Sequence, residues 1–174
     1  MVAPLWSAKW PDKETMKTLK SLVIIVAVVL SAALTIRATT KVPRPTPETV
    51  VANLYKQHQK ASPFFQTRSR SILDKYFDKQ LADLLWKDAS TKREDVGPLN
   101  GDPLYNAQDM EIKNFVIGQA TISGKTAKLK VSFVNFDRNE EIFFDLVSTP
   151  VGWKVSNLTY LDGTTLVGIL KQDS

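Results

Sequence analysis

Two periods of hydrophobic spacing divide the chain. Apolar residues recur at helical spacing from Thr46 to about residue 90, and they alternate with polar ones from Glu111 to Tyr160. Thr46-Pro47-Glu48 reads as a helix start, with Thr as N-cap, Pro in the first turn and Glu at the positive end of the helix dipole. Val50, Val51, Leu54 and Tyr55 then share one stripe, and Ser62-Pro63 interrupts it. Ser69 to Phe77 predicts a short second helix with Ile72, Leu73, Tyr76 and Phe77 on one face. Asp78 is placed to cap a third helix with Leu81, Leu84 and Leu85 as its stripe and Trp86 beside it. Lys92 to Asp109 holds turn residues and no period, which predicts a loop of roughly 18 residues, a length that is usually functional or disordered.

Alternation begins after that loop. Phe115, Ile117 and the stretch Gln119 to Ile122 predict one strand, closed by the turn Ser123-Gly124-Lys125. Ala127, Leu129, Val131 and Phe133 alternate with Lys128, Lys130 and Ser132, the signature of a half-buried strand. A turn is expected at Asp137-Arg138-Asn139-Glu140, a third strand through Ile142, Phe144 and Leu146, a turn at Pro150-Val151-Gly152, and a fourth strand from Trp153 to Tyr160. Asp162 or Thr164 is expected to cap a last short helix, Leu166 to Leu170. Three helices, a four-stranded antiparallel meander and a final helix predict an α+β domain, with helices packed on one side of the sheet.

The region before Thr46 is of another kind. Ser21 to Ile36 is a run of 16 residues without a charge. A spanning helix wants about 20 apolar residues and a secretory core about 7–15, so the run lies between the two expectations. Ser31-Ala32-Ala33 offers a cleavage signal after Ala33. Translation from Met16 makes MKTLK an ordinary positively charged start; translation from Met1 makes the leader long. Residues 1–36 are therefore read as a signal peptide or a membrane anchor containing an apolar leader helix, 37–45 as a Pro-rich linker and 46–174 as the α+β domain. The expected mature chain begins near Leu34 and is periplasmic or secreted; the alternative is an inner-membrane anchor through residues 21–36 with the domain in the periplasm.

Charge sharpens this division. Residues 1–45 hold seven bases and two acids, and residues 46–174 hold sixteen of each, so the formal net charge of +5 belongs to the leader. A nucleic-acid-binding domain carries its own positive excess, and this one has none, so no nucleic-acid partner is expected. Within the domain, residues 56–93 are net +5 and residues 94–174 net −4, an asymmetry suited to electrostatic steering of a partner or simply a solvated surface. The chain has no Cys and one His, His58, which excludes disulfides, thiolate chemistry and a multi-histidine metal site.

Tyr76-Phe77 after a short helix, the loop Gly101-Asp102-Pro103-Leu104-Tyr105-Asn106-Ala107-Gln108-Asp109, and Gly152-Trp153-Lys154-Val155 with Tyr160 together resemble a bacterial family. It comprises uncharacterised secreted or lipoprotein-anchored domains, found mainly in Gram-negative bacteria, whose fold is similar to the cone-shaped, cystatin-like barrel of nuclear transport factor two. The resemblance spans roughly residues 47–170. It implies a curved sheet forming a cone, and no activity that transfers to a residue here. Many members carry a lipobox Cys, which this chain lacks.

A cone has a concave pocket, and its expected mouth carries Asp102, Tyr105 and Asp109, the candidate binding residues. Two carboxylates and a phenol suit a cation or polar ligand, although their spacing does not match a calcium loop; alternatively the acids cap turns and Tyr105 packs under the loop. His58 is readable as a general base or, among Lys56, Gln57, Gln59 and Lys60, as a solvated or partly packed surface side chain. Phe115, Phe133, Phe136, Phe143, Phe144, Trp153 and Tyr160, at strand spacing, are expected to form core, the alternative being a lining for an apolar ligand. No nucleophile elbow or phosphate loop is present, and no metal or cofactor is expected. The resulting expectation is a non-catalytic envelope domain that binds a protein partner or small ligand, an immunity-type inhibitor of a secreted toxin being a concrete form. The alternative is a small enzyme of the cone superfamily using Asp102 or Asp109 with Tyr105.

Overall fold

The computed structural model describes residues 12–14, 16–17, 43–60, 62, 64, 69–91, 99 and 101–172. The chain divides into two compact units, Met1–Val42 and Pro43–Ser174. In the first, the Met16 amide donates to the Asp12 carbonyl at 3.1 Å and Lys17 pairs with Glu14 at 2.9 Å, one turn of helix. The apolar run 21–36 and its expected cleavage signal lie outside the described residues. Among the described residues no helix is long and apolar enough to cross a membrane.

The second unit is an α+β domain. Its described helices are α1 (Pro47–Lys60), α2 (Arg70–Tyr76), α3 (Lys79–Ser90) and α4 (Leu166–Gln172). The caps are local chemistry. Thr46 Oγ1 accepts from the Thr49 amide at 3.3 Å, and Asp78 Oδ1 accepts from the Leu81 amide at 2.8 Å, each filling an orphan donor of a first turn. α4 differs from expectation. Its cap is Thr165, whose Oγ1 accepts from the Gly168 amide at 3.0 Å, while Asp162 closes the preceding turn onto the Thr164 amide and hydroxyl.

The sheet has five strands where four were expected: β1 (Ile112–Ile117), β2 (Thr121–Ser123), β3 (Thr126–Asn135), β4 (Arg138–Thr149) and β5 (Gly152–Tyr160). It is antiparallel in the order β1-β3-β4-β5, with β2 also paired to β3, and it is not closed. β1 and β2 lie along the same edge of β3, as the two halves of the single strand that alternation suggested. The break falls at Gly118, whose amide donates to the Lys130 carbonyl at 2.8 Å. A Cβ there would stand 3.0 Å from that carbonyl oxygen, a tight contact that a larger residue makes only if the strands move apart by a few tenths of an ångström. A bulge adds a second irregularity: Asn114 (φ 52°) and Phe115 together face the single residue Phe133.

The β3–β4 connection is tighter than expected. Asn135 pairs with Arg138, so the turn is Phe136-Asp137 alone and Arg138 to Glu140 already belong to β4. One face of the sheet carries Leu129, Val131, Phe133, Ile142, Phe144, Leu146, Val155 and Leu158, all buried against the helices. Each such side chain contributes about 1.5–3 kcal/mol of transfer free energy. Tyr55, Phe64, Phe77, Leu104 and Tyr105 fill the space between helices and sheet. The expectation that all seven strand aromatics are core fails for Phe115, Phe136 and Phe143, which are exposed. Phe143 lies on the outer pleat of β4, Phe136 occupies a turn, and the bulge carries Phe115 to the edge.

The helices are locked to the sheet by polar contacts at its far edge. The Asp78 amide donates to the Val155 carbonyl at 2.9 Å. Lys154 Nζ donates to the carbonyls of Asp74 and Lys75, both at 2.6 Å, placing a cation on the last turn of α2.

Candidate functional site

Helical periodicity places Tyr55 and His58 on one face of α1, continuing the stripe of Val51 and Leu54. The loop 101–109 folds back over that face. The Asp102 amide donates to the Ala107 carbonyl at 2.7 Å and the Tyr105 amide to the Asp102 carbonyl at 3.1 Å, so the chain reverses within six residues. Asp102 Oδ1 accepts from the Leu104 amide at 2.9 Å, the Asx turn that Asp favours before Pro. The reversal drives Leu104 into the core, where it is fully buried.

Three side chains from outside the loop hold it down. Tyr55 donates its hydroxyl to the Leu104 carbonyl at 2.8 Å, and Tyr160, at the end of β5, donates to the Pro103 carbonyl at 3.2 Å. His58 Nε2 contacts Asp102 Oδ2 directly. Both partners are nine-tenths buried, with side-chain exposures of 9% and 8%. His58 is edged by the rings of Phe64 and Tyr105, each with its centroid 5.9 Å away. Its Nδ1 is buried without a hydrogen-bond partner among the described residues.

The electrostatics follow from burial. Desolvation pushes the Tyr55 phenol well above its ordinary range, with the neighbouring Tyr105 and Asp102 adding to the shift. Tyr160 is raised by burial first and by Asp102 second, and Tyr105 by the same two causes. All three phenols are held in the protonated form, which Tyr55 and Tyr160 need in order to donate to carbonyls.

Of the three expected binding residues, the structure brings two together. Asp102 and Tyr105 are buried at the root of the loop, Asp102 as a turn cap and Tyr105 packed beneath. Asp109 is exposed at the far end, where its carbonyl accepts from Asn135 Nδ2 at 3.1 Å. His58 faces inward despite its polar sequence neighbours. Its place on the stripe was readable, since it follows Leu54 by four and Tyr55 by three residues. Tyr55, Tyr160 and Asn135 as polar anchors had no local signal.

Above the root lies an open groove of about 470 Å³, lined by Leu99, Pro103, Asn106, Gln108, Ile169 and Gln172. Its lining is mixed, with the carboxamides of Asn106, Gln108 and Gln172 beside the apolar Leu99, Pro103 and Ile169. A second hollow of about 380 Å³ lies on the outer sheet face around Thr121, Lys128, Phe143 and Asp145. Among the described residues no group of three or more His, Asp or Glu is arranged to hold a metal ion. Comparisons with protein-family models, with curated proteins and with solved structures gave no match.

Proposed function

We propose that this chain is an exported, non-catalytic domain of the bacterial envelope that binds a protein partner through the loop 101–109 and its groove, an immunity-type inhibitor of a secreted toxin being the concrete form. The cone-like description of the sheet, the periplasmic location and the leader over 1–36 belong to the same proposal. The observation that carries it is the rigid fastening of the loop. A buried His58–Asp102 contact and two phenols hold its root, while Asn106, Gln108 and Asp109 face outward. A surface loop fixed before binding loses little conformational entropy on association, which is how preorganised binding modules reach high affinity.

The buried pair argues against the enzyme reading. Both Asp102 oxygens are engaged, one by the Leu104 amide and one by His58. A general base must reach a substrate proton within hydrogen-bond distance, and neither oxygen is open to one. Asp109 is exposed at the end of the loop and lines neither hollow, so nothing there would hold a substrate against it.

The test is a pull-down from envelope extract with the full chain and with an Asn106→Asp/Gln108→Glu/Asp109→Lys triple variant. The expected result is one protein retained by the parent chain and lost by the variant, with equal melting temperatures for the two. Equal recovery by both sinks the assignment of the loop.

A further inference from the structure

The β3–β4 turn is built at a cost that its structural role does not require. Phe136 is its first residue, with φ at 52°, a left-handed conformation that a bulky side chain adopts rarely. Glycine or asparagine would make the same turn without strain. About half of the residue stays open to solvent, Phe136 being 48% exposed. Strain retained at an exposed aromatic points to work done outside the fold.

The turn is also pinned. Asn135, only 1% exposed, accepts from the Glu111 amide at 2.9 Å and donates to the Asp109 carbonyl at 3.1 Å. The Phe136 amide donates to the Glu111 carbonyl at 3.1 Å. These bonds tie the turn to 109–111, the continuation of the binding loop, and set Met110 on the same corner, 47% exposed. The charges there are unbalanced. Lys113 is paired with Glu111 at 2.5 Å and Arg138 with Glu140 at 3.4 Å. Asp109 and Asp137 enter no ion pair among the described residues. Each exposed apolar side chain therefore has an uncompensated carboxylate as its neighbour in sequence.

We infer that the β3–β4 tip is a docking plug: Phe136 and Met110 enter an apolar pocket on a partner protein whose rim carries Lys or Arg opposite Asp109 and Asp137. Aromatic and Met side chains on a fixed support are the usual anchors of protein interfaces, and flanking charges set orientation and rate. A symmetric tip-to-tip pair of copies is a poor occupant, because it would oppose the same two carboxylates. The inference rests on the protein-binding reading above and adds the chemistry of the partner.

Photo-crosslinking tests it. p-Benzoylphenylalanine is placed in the full chain at position 136 and, separately, at position 106, and cells are irradiated. The protein joined at 136 is identified from its crosslinked peptide, purified, and titrated against the parent chain and variants. The expected adduct joins position 136 to an apolar pocket bordered by Lys or Arg. Phe136→Gly, which keeps the turn geometry available, is expected to weaken binding at least tenfold with the melting temperature kept. Asp137→Lys is expected to slow association and flatten its dependence on salt. An adduct only with the chain itself, a crosslinked surface without bases, or less than a twofold change for Phe136→Gly overturns the plug. Adducts from 106 alone overturn it while leaving the loop as the binding element; adducts from neither position remove both.

Discussion

The root of the loop 101–109 and the β3–β4 tip are neighbours held by opposite means. The root depends on side chains brought from α1 and β5, including a buried ionisable pair. The tip depends on strand pairing and one buried amide, Asn135, with no charge buried. An irregular loop has no ladder partners for its amides and carbonyls, and buried ones left unpaired are costly, so two phenols donate to its carbonyls and the Asp102 carboxylate accepts from the Leu104 amide. A hairpin satisfies its own backbone and leaves its side chains free for other use. The root should therefore be fragile to single polar changes, and the tip tolerant of them.

The widest separation is expected at alkaline pH, because the phenols of Tyr55, Tyr105 and Tyr160 all cluster at the root. Their folded-state pKa values lie above the unfolded value of about 10. A group raised on folding contributes stability that is complete below its unfolded pKa and is lost as pH rises toward its folded one. Denaturant midpoints should hold up to about pH 10 and fall above it. Ultraviolet titration should show these three phenols ionising together with unfolding; independent ionisation in the native state would show an accessible root.

Asp102→Ala leaves His58 and the Leu104 amide without their acceptor. Removing one member of a buried pair costs about 3–5 kcal/mol, read by urea denaturation, with hydrogen exchange at Leu104 and Asp102 accelerated first. A loss below about 1 kcal/mol would place the pair among weak surface contacts. Asn135→Ala removes both side-chain bonds at the tip and should cost about 1–3 kcal/mol, with faster exchange confined to 109–112 and the root unchanged. Tyr160→Phe removes a single neutral bond and should cost about 0.5–1.5 kcal/mol. Phe136→Gly trades left-handed strain against glycine's greater unfolded freedom, so stability should stay within about 1 kcal/mol. A larger loss would show the ring to be structural after all.

The helices were legible because their signals are local. Thr46 and Asp78 cap through residues three positions away, and the apolar stripes lie at fixed spacing. The meander was legible for the same reason, since the pleat alternates side chains between a buried and an open face. What misled was geometry that alternation does not encode. The Gly118 break depends on the carbonyl of Lys130 in the next strand, and the two-residue turn at Phe136 depends on a register that pairs Asn135 with Arg138.

At the candidate site the division is sharper still. Composition alone limited the chemistry, since a chain with no Cys and one His cannot build thiolate or multi-histidine sites. The loop announced itself through Asp102-Pro103 and the missing period, and Asp102 and Tyr105 were singled out from it. The partner of Asp102 was decided by folding: His58 lies 44 residues away, Tyr55 reaches Leu104 across 49 and Tyr160 reaches Pro103 across 57. Short-range sequence sets backbone preference and the direction of an apolar face, because both act within a few residues. The pairing of buried polar atoms is settled only when the whole core closes, because only then do those atoms lose water and require one another.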